Sequence, residues 1–426
     1  MQTTEILYYV NASFMGVYMK KIAVIGAGIT GMSSAFTLAN RGYDVTIYDK
    51  NRYAAMETSF ANGGQLSASN AEVWTRWSTI FKGLKWMMKS DAPLLVNPKP
   101  SLHKFGWMME FMSNIPNYES NTIRTTEMAI ASRDFMTQMA EEAGIEFNRV
   151  NQGILHFYDD EDEFAHAHEV SKLLAKGGLP RQRLTPDEVR AIEPTIKSDI
   201  IGGYYTDSDF TGDIHKFSTG LAKACERLGV TFHWNEEVTK LAPNNGQPLV
   251  TSAPESGEVR TQSYDGIVIC AGVRSRSFAS QVGDRVNIYP VKGYSITVHL
   301  NDEASQKAAP WVSLLDDKAK IVTARLGADR FRVAGTAEFN GYNYNIRSDR
   351  IAPLTKWVEK NMPDVNTEYV TPWAGLRPMM PNMMPRIGRG KAKGIFYNTG
   401  HGHLGWTLSC VSAHMVSDII TATDNQ

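Results

Sequence analysis

Cysteine is scarce in this sequence, and no two cysteines are close enough to suggest a shared role. Cys225, Cys270 and Cys410 are the three cysteines in 426 residues. Without a Cys-x-x-Cys pair, neither a disulfide framework nor a cysteine-ligated zinc site is indicated. Each is expected to be a small buried apolar side chain, and the pattern favours a reducing, cytoplasmic setting.

An excess of charge and a long apolar run are also absent. The 44 Lys and Arg residues nearly balance the 45 Asp and Glu residues. They are scattered along the chain, which argues against a nucleic-acid partner. No run reaches the roughly 18 consecutive apolar residues of a membrane-spanning helix. Residues 1–18 are interpreted as a dispensable N-terminal extension, with a membrane-surface anchor as the alternative.

A dinucleotide site is the first feature that the sequence predicts. A buried strand at residues 22–25 runs into the glycine turn 26–31, a helix that ends near Gly42, a second strand at 45–48, and then Asp49. In such a unit Gly26 permits a tight turn, Gly28 lets the backbone approach a pyrophosphate, and Gly31 lets the helix pack on the strand. Asp49 is placed to bind ribose hydroxyls. The unit by itself does not separate FAD from NAD.

The segment that follows favours FAD. Residues 57–66 are rich in small and amide side chains, too glycine-rich for a helix and too polar for a core strand. An ordinary surface loop is one interpretation. Directly after a ribose-binding acid, backbone laid against a flat ring is the better one.

The rest of the chain predicts a mixed α/β fold. Helices are predicted at 125–144, 160–178 and 213–228, with a strand at 154–158 between the first two. Residues 266–270 are predicted to form a strand that runs into Ala271-Gly272 beside the cofactor. Strands at 286–298, 321–324 and 331–334 indicate an antiparallel sheet. Residues 244–257 are predicted to form a loop. Residues 81–89 are interpreted as a packed helix, with contact to a membrane surface as the alternative.

Two C-terminal motifs complete the pattern. Residues 373–378 end in Arg377-Pro378, and residues 398–407 open a helix that runs through Ser417. The N-terminus of that helix is expected to face the flavin, where it would stabilise negative charge on the reduced ring.

These motifs together resemble the D-amino acid dehydrogenase family, within the D-amino acid oxidase and glycine oxidase superfamily. The likeness runs from Lys20 to about Thr421. Its landmarks are GAGITG (26–31), ETSFANGGQLS (57–67), LKWMM (84–88), DFTGDIHKF (209–217), PVKGYSIT (290–297), WAGLRPMMP (373–381) and NTGHGHLGWTLS (398–409). The sequence departs from the family at Asn382-Met383-Met384 and at His403, where the family usually has Asp-Gly and Thr, so the preferred substrate stays open.

The resemblance implies an FAD site and a substrate clamp. Arg377 would bind the substrate carboxylate, Tyr294 and Tyr342 are weaker candidates for the pocket wall, and His401 would orient groups near the ring. No metal site is expected. The residues implied to bind FAD are Gly26, Ala27, Gly28, Ile29, Thr30, Gly31, Asp49, Lys50, Thr58, Ser59, Gly64, Gln65, Leu66, Val238, Ala271, Gly272, Gly402, Leu404, Gly405, Trp406 and Thr407.

The implied organisation is a Rossmann-like FAD-binding domain with a substrate domain built on an antiparallel sheet plus helices. The predicted FAD-binding domain comprises 19–95, 200–285 and 365–426. The predicted substrate-binding domain comprises 96–199 and 286–364.

The implied reaction is oxidative deamination of D-amino acids to 2-oxo acids and ammonia. Electrons would pass to a quinone or another respiratory acceptor, with peripheral contact at the inner face of the cytoplasmic membrane. Glycine, sarcosine, hydroxyproline or an L-amino acid are alternative substrates. A non-catalytic nucleotide or flavin module and an NAD enzyme are the alternatives from other classes.

Overall fold

The computed structural model describes residues 19–86 and 93–424. Its helices are α1 (Ile29–Asn40), α2 (Trp77–Trp86), α3 (Leu102–Ser113), α4 (Tyr118–Ala143), α5 (Glu161–Lys176), α6 (Pro186–Ile192), α7 (Ile214–Arg227), α8 (Ser275–Gln281), α9 (Glu303–Ala308), α10 (Ser348–Asn361) and α11 (Ser409–Asp424). Its strands are β1 (Lys21–Ile25), β2 (Asp44–Tyr48), β3 (Gln65–Leu66), β4 (Leu94–Val96), β5 (Ile154–Tyr158), β6 (Gln182–Leu184), β7 (Gly202–Thr206), β8 (Phe210–Thr211), β9 (Thr231–His233), β10 (Glu236–Ala242), β11 (Leu249–Pro254), β12 (Arg260–Ser263), β13 (Gly266–Ile269), β14 (Tyr289–His299), β15 (Ser313–Asp316), β16 (Ile321–Arg325), β17 (Arg330–Phe339), β18 (Val370–Met379), β19 (Arg386–Arg389) and β20 (Ile395–Thr399).

A six-stranded sheet forms the first of two main layers. Its strand order is β19-β20-β13-β1-β2-β9. The strands run parallel except for β19, which pairs with β20 in antiparallel register. Strands buried on both faces read as continuous apolar runs, as β1 and β13 do in the sequence. Helices α1, α7 and α11 contribute to the apolar core that covers this sheet.

A nine-stranded sheet forms the second layer. Its order is β18-β14-β17-β16-β15-β5-β7-β6, and β4 adds to β17. Most pairs are antiparallel, whereas β15 with β5 and β17 with β4 are parallel. Helix α10 packs its buried Leu354, Trp357 and Val358 into the same core as β14 and β17.

The predicted fold class, a Rossmann-like α/β unit joined to a largely antiparallel sheet, is confirmed by these two layers. The predicted domain limits remain a proposal, and the sheets cross them at three places. The sequence assigned β7 and β18 to the FAD-binding part and placed a boundary within β4, yet all three strands pair within the nine-stranded sheet. The reason is that strand pairing joins residues far apart in the chain, which local patterns do not report.

One local prediction is wrong, and another lies only partly within the described residues. The predicted loop at 244–257 is wrong, because β11 lies within it and pairs with both β10 and β12. The predicted helix at 81–89 is α2 up to Trp86, and the remainder lies outside the described residues, as do residues 1–18. No helix in the described part of the chain is long and apolar enough to cross a membrane.

Candidate active site

The glycine turn between β1 and α1 has the geometry of a phosphate site. Gly26 has φ +102°, a left-handed value that favours glycine. A Cβ on Gly31 would lie 1.8 Å from the carbonyl oxygen of Gly26, so this glycine lets the helix pack on the turn. A Cβ on Gly28 would meet only the Ser59 hydroxyl, at 3.5 Å, so Gly28 borders open space. The N-terminus of α1 therefore faces a space that can hold an anion.

Asp49 ends β2 beside this turn. Its Oδ2 accepts a hydrogen bond from the Ala27 amide at 2.7 Å, and its Oδ1 accepts one from the Asn51 amide at 2.8 Å. Burial raises the pKa of Asp49, and the two backbone donors oppose that rise. Asp49 thus holds the glycine turn in shape as well as lining the cavity.

The segment around residues 58–67 lies against the C-terminal motif. The Trp406 indole donates to the Gly64 carbonyl at 3.3 Å, and the Thr407 hydroxyl bonds to the backbone of Gln65 and Ser67. Gln65 donates from Nε2 to Ser313, whereas its buried Oε1 has no partner within the described residues. Two segments about 340 residues apart in sequence therefore form one wall with an acceptor still available for a ligand.

One cavity of about 760 Å³ joins these elements. Most of the predicted cofactor residues line it, including Gly26, Gly28 and Asp49 from the first βαβ unit and Trp406 and Thr407 from the C-terminal motif. Three predicted residues do not line the cavity, namely Ala27, Gly31 and Leu66. The remaining predicted cofactor residues in the wall are Ile29, Thr30, Lys50, Thr58, Ser59, Gly64, Gln65, Val238, Ala271, Gly272, Gly402, Leu404 and Gly405.

Arg377, on β18, places a positively charged guanidinium in the cavity wall. Its Nη1 donates to the Thr336 carbonyl at 2.8 Å. Removal from water lowers its pKa to about 10, and it remains protonated at neutral pH. Among the described residues no carboxylate forms an ion pair with it. An enclosed cation without an anionic partner is costly, so this position is suited to an anionic ligand.

His403 stands near Arg377 and stacks on Trp74, with ring centroids 4.6 Å apart. Burial and the positive charge of Arg377 lower the pKa of His403 to about 3, so the imidazole is neutral at physiological pH. Glu72 lies in the same wall. Burial alone would raise its pKa, but hydrogen bonding from His166 and the charge of Arg76 lower it to about 2.

The other predicted catalytic residues differ in their placement. Tyr294 lines the cavity, and its hydroxyl donates to Glu338 at 2.7 Å. His401 also lines it, but its Nε2 bonds to the Ser412 hydroxyl at 3.0 Å, and burial lowers its pKa to about 3. Tyr342 is not brought to the cavity: its half-exposed side chain donates to the Val273 carbonyl at 3.2 Å.

Sequence reasoning missed the segment at residues 70–76. Asn70, Glu72, Trp74 and Arg76 line the cavity, whereas the residues between them, at 71, 73 and 75, are buried. This strict alternation is the pattern of an extended segment with two different faces. In the sequence the polar and apolar residues alternate only from Asn70 to Val73 and the pattern breaks at Trp74-Thr75, so nothing local indicated a functional face.

These features fit a bound flavin dinucleotide. The open space at Gly28 accommodates a pyrophosphate, and the unpartnered Gln65 Oε1 can accept from a ring N–H. The cavity volume lies within the usual range for ligand sites, about 300–1,000 Å³. In the described part of the chain no group of three or more His, Cys, Asp or Glu side chains could hold a metal ion.

Comparison with protein families supports the same cofactor. The model of the FAD dependent oxidoreductase family DAO matches residues 21–419. A protein of Mesorhizobium japonicum named D-amino acid dehydrogenase 3 is 57% identical over 406 residues, covering 95% of this chain and 98% of that protein. A D-amino acid dehydrogenase of Paramagnetospirillum magneticum is 40% identical over 410 residues, covering 94% and 95%.

Solved structures agree on the fold. Glycine oxidase from Geobacillus kaustophilus superposes with a TM-score of 0.73 at 20% identity, covering 95% of each chain. At this identity the likeness concerns the fold alone.

Proposed function

Because the chain belongs to the DAO family of FAD-dependent oxidoreductases, we propose that it oxidises D-amino acids to 2-oxo acids and ammonia. The observation that carries this proposal is Arg377, a cation enclosed in the cavity wall without an ion-pair partner in the described part of the chain. The relatives named D-amino acid dehydrogenase, similar along nearly their whole length, support the substrate class.

Arg377 would bind the substrate carboxylate. A guanidinium offers two parallel N–H donors to one carboxylate, a geometry that the lysine ammonium cannot match. One of its nitrogens is already held by Thr336, which limits the directions in which the remaining donors can point. The clamp therefore orients the substrate as well as binding it.

Bound FAD would supply the oxidising chemistry by accepting the hydride of the substrate Cα. The nitrogen lone pair then forms the C=N bond, and water converts the imino acid to a 2-oxo acid with release of ammonia. For this the amine must be neutral. Arg377, which stays protonated at neutral pH, would favour the neutral amine, because a second positive charge beside the guanidinium is disfavoured. The unprotonated imidazole of His403 in the same wall can accept a hydrogen bond from that amine.

We assign the ADP half of FAD to the glycine turn, Asp49 and Val238. The ring would lie along Gly64 and Gln65, with Trp406 at its edge. This assignment follows the continuity of the cavity from the N-terminus of α1 to the 406–407 segment.

For the electron acceptor we propose a quinone, with peripheral contact at the inner face of the cytoplasmic membrane. Apolar side chains from α2, β4 and α3 line part of the cavity, among them Ile80, Leu94 and Phe111. The outer face of α3 exposes Leu102 (93% exposed) and Phe105 (65%). Exposed apolar side chains on a helix whose other face lines the cavity suit a lipid surface close to the site.

The membrane proposal is tested by sedimentation with phosphatidylglycerol vesicles. Leu102→Gln with Phe105→Gln should lower the bound fraction and slow reduction of a short-chain quinone, while reduction of a water-soluble dye stays unchanged. Val259→Gln, which changes an exposed apolar residue away from the cavity, is the control. Equal vesicle binding by both variants would remove support for this surface.

The substrate proposal is tested by anaerobic titration of the holoenzyme with D- and L-amino acids, glycine, sarcosine and hydroxyproline. Loss of flavin absorbance with D-amino acids, and not with their mirror images, is the expected result. Arg377→Ala and Arg377→Lys should keep FAD and lose at least about 100-fold in kcat/KM, as misplacement of a reacting group does. Bleaching only by glycine, sarcosine, hydroxyproline or L-amino acids would refute the substrate class and leave the cofactor standing.

A further inference from the structure

Gly293, on β14, lies directly beneath the guanidinium of Arg377. A Cβ on Gly293 would be 2.3 Å from Nη2 and 2.4 Å from Cζ of Arg377. The backbone of Gly293 is not left-handed, so other residues could adopt its conformation. The requirement for glycine here comes from the arginine. Because the obstructing atoms end a flexible side chain, a methyl group at 293 would displace the guanidinium rather than the strand.

Thr336, on β17, holds the other side of the guanidinium. The register between β14 and β17 shifts between Lys292 and Tyr294, so that Thr336 and Ala337 stand opposite the single residue Gly293. This is a β-bulge, a feature that re-aims groups beside active sites.

The backbone of Thr336 has φ +58°, rare for a β-branched residue. Its carbonyl accepts the 2.8 Å hydrogen bond from Arg377, and its buried hydroxyl has no partner within the described residues. Such conformations persist only where the surrounding structure determines them. Here the left-handed conformation directs the Thr336 carbonyl towards the guanidinium of Arg377.

We propose that this bulge is the device that positions Arg377. Gly293 leaves the space across which the guanidinium lies, and Thr336 fixes its direction through the backbone carbonyl. Both act through Arg377 and so set where a substrate carboxylate sits in the cavity. The identity of that ligand rests on the proposed function, whereas the packing of the three residues does not.

A double-mutant cycle on the holoenzyme tests this coupling. Gly293→Ala is made in the wild type and in Arg377→Ala, and pyruvate, the product expected from D-alanine, is titrated against the flavin spectrum. Gly293→Ala should weaken pyruvate binding about 10- to 100-fold, as loss of a charge-assisted hydrogen bond does. In the Arg377→Ala background it should leave pyruvate affinity unchanged and should not lower the melting temperature, because the nearest obstructing atoms are gone.

Gly106→Ala is the matched control, since a Cβ there has no heavy atom within 4 Å. It should leave pyruvate binding unchanged. FAD affinity should also be unchanged in every variant, which separates loss of the clamp from loss of the fold.

Two variants of Thr336 test the bulge itself. Thr336→Gly keeps the left-handed conformation accessible and should retain pyruvate affinity within about threefold. Thr336→Pro forces φ to about −65°, which turns the carbonyl away, and it should weaken pyruvate as Gly293→Ala does. The KM for the amino acid that reduces the flavin is a second readout and should rise in parallel.

The inference is overturned if the Gly293→Ala variant binds pyruvate like the wild type. It is overturned as well if Gly293→Ala weakens pyruvate binding by the same factor in the Arg377→Ala background as in the wild type. It is also overturned if Thr336→Gly and Thr336→Pro behave alike. Failure of D-amino acids to reduce the wild-type flavin would refute the proposed function instead, while the cycle with pyruvate would still report on the coupling.

Discussion

Replacement of Gly28 by alanine separates cofactor binding from folding at the glycine turn. Gly28 has φ −71°, which alanine adopts readily. The added methyl would meet only the Ser59 hydroxyl, at 3.5 Å, an ordinary contact. The apoprotein should therefore fold with a stability within about 1 kcal/mol of the wild type, because restriction of the unfolded chain is offset by the poorer fit of alanine at the N-cap of α1.

The same methyl projects into the space proposed for the pyrophosphate. Loss of one hydrogen bond to a charged group costs about 1.5–3 kcal/mol, or roughly a 10- to 100-fold weaker Kd for FAD. At an FAD concentration 100 times the wild-type Kd, the cofactor stabilises the wild type by about 2.7 kcal/mol. A 100-fold weaker variant would retain only about 0.4 kcal/mol of this stabilisation.

The assay is thermal unfolding with and without FAD, together with a direct FAD titration of the apoprotein. Gly31→Ala provides the contrast. Its methyl would lie 1.8 Å from the Gly26 carbonyl, a backbone atom that has little freedom to move. That variant should be unstable with or without FAD, by several kcal/mol. A Gly28→Ala protein that binds FAD as tightly as the wild type would refute the placement of the pyrophosphate at this turn.

Three further predictions concern the other wall of the cavity. Burial holds the pKa of His401 at about 3, so the unfolded chain takes up its proton first, and stability should fall as pH drops from about 6.5 towards 3. Melting temperature against pH should fall less steeply for His401→Gln, and identical slopes would contradict this. Replacing His403 by Thr removes the stack on Trp74 and leaves a smaller side chain. In steady-state assays this should lower the KM for bulky D-amino acids relative to the KM for D-alanine. An unchanged ratio of these two KM values would mean that His403 does not border the substrate side chain. Trp406→Ala empties a buried site packed edge-on against neighbouring aromatics and should lower stability by about 3–5 kcal/mol, measured by denaturant unfolding, with weaker FAD binding.

Elements with a strong local pattern were predictable from the sequence. The predicted strand at 154–158 matches β5, and the helix predicted to begin near Asp160 is α5, with Asp160 as its N-cap. The glycine turn was predictable for the same reason, since all its parts lie within thirty consecutive residues. Hydrophobic period, capping residues and turn glycines are properties of neighbouring residues.

Features that depend on distant residues were not predictable in this way. β11 lies where a polar, loop-like segment was expected, because pairing with strands on both sides outweighed local composition. Tyr342 was expected at the pocket wall but lies outside the cavity. The segment at 70–76 was overlooked because its polar and apolar residues alternate only in part, and only the fold shows which face meets the cavity.

The sequence by itself therefore determined the dinucleotide-binding unit, the order of its main elements and the presence of Arg377 in a glycine- and proline-rich motif. Only the tertiary structure decided that Arg377 has no ion-pair partner among the described residues, that Gly293 lies under its guanidinium, and that Thr336 holds it through a bulge. The physical reason is that local conformation depends on neighbours in sequence. Burial, charge pairing and close approach depend on strands that meet only after folding.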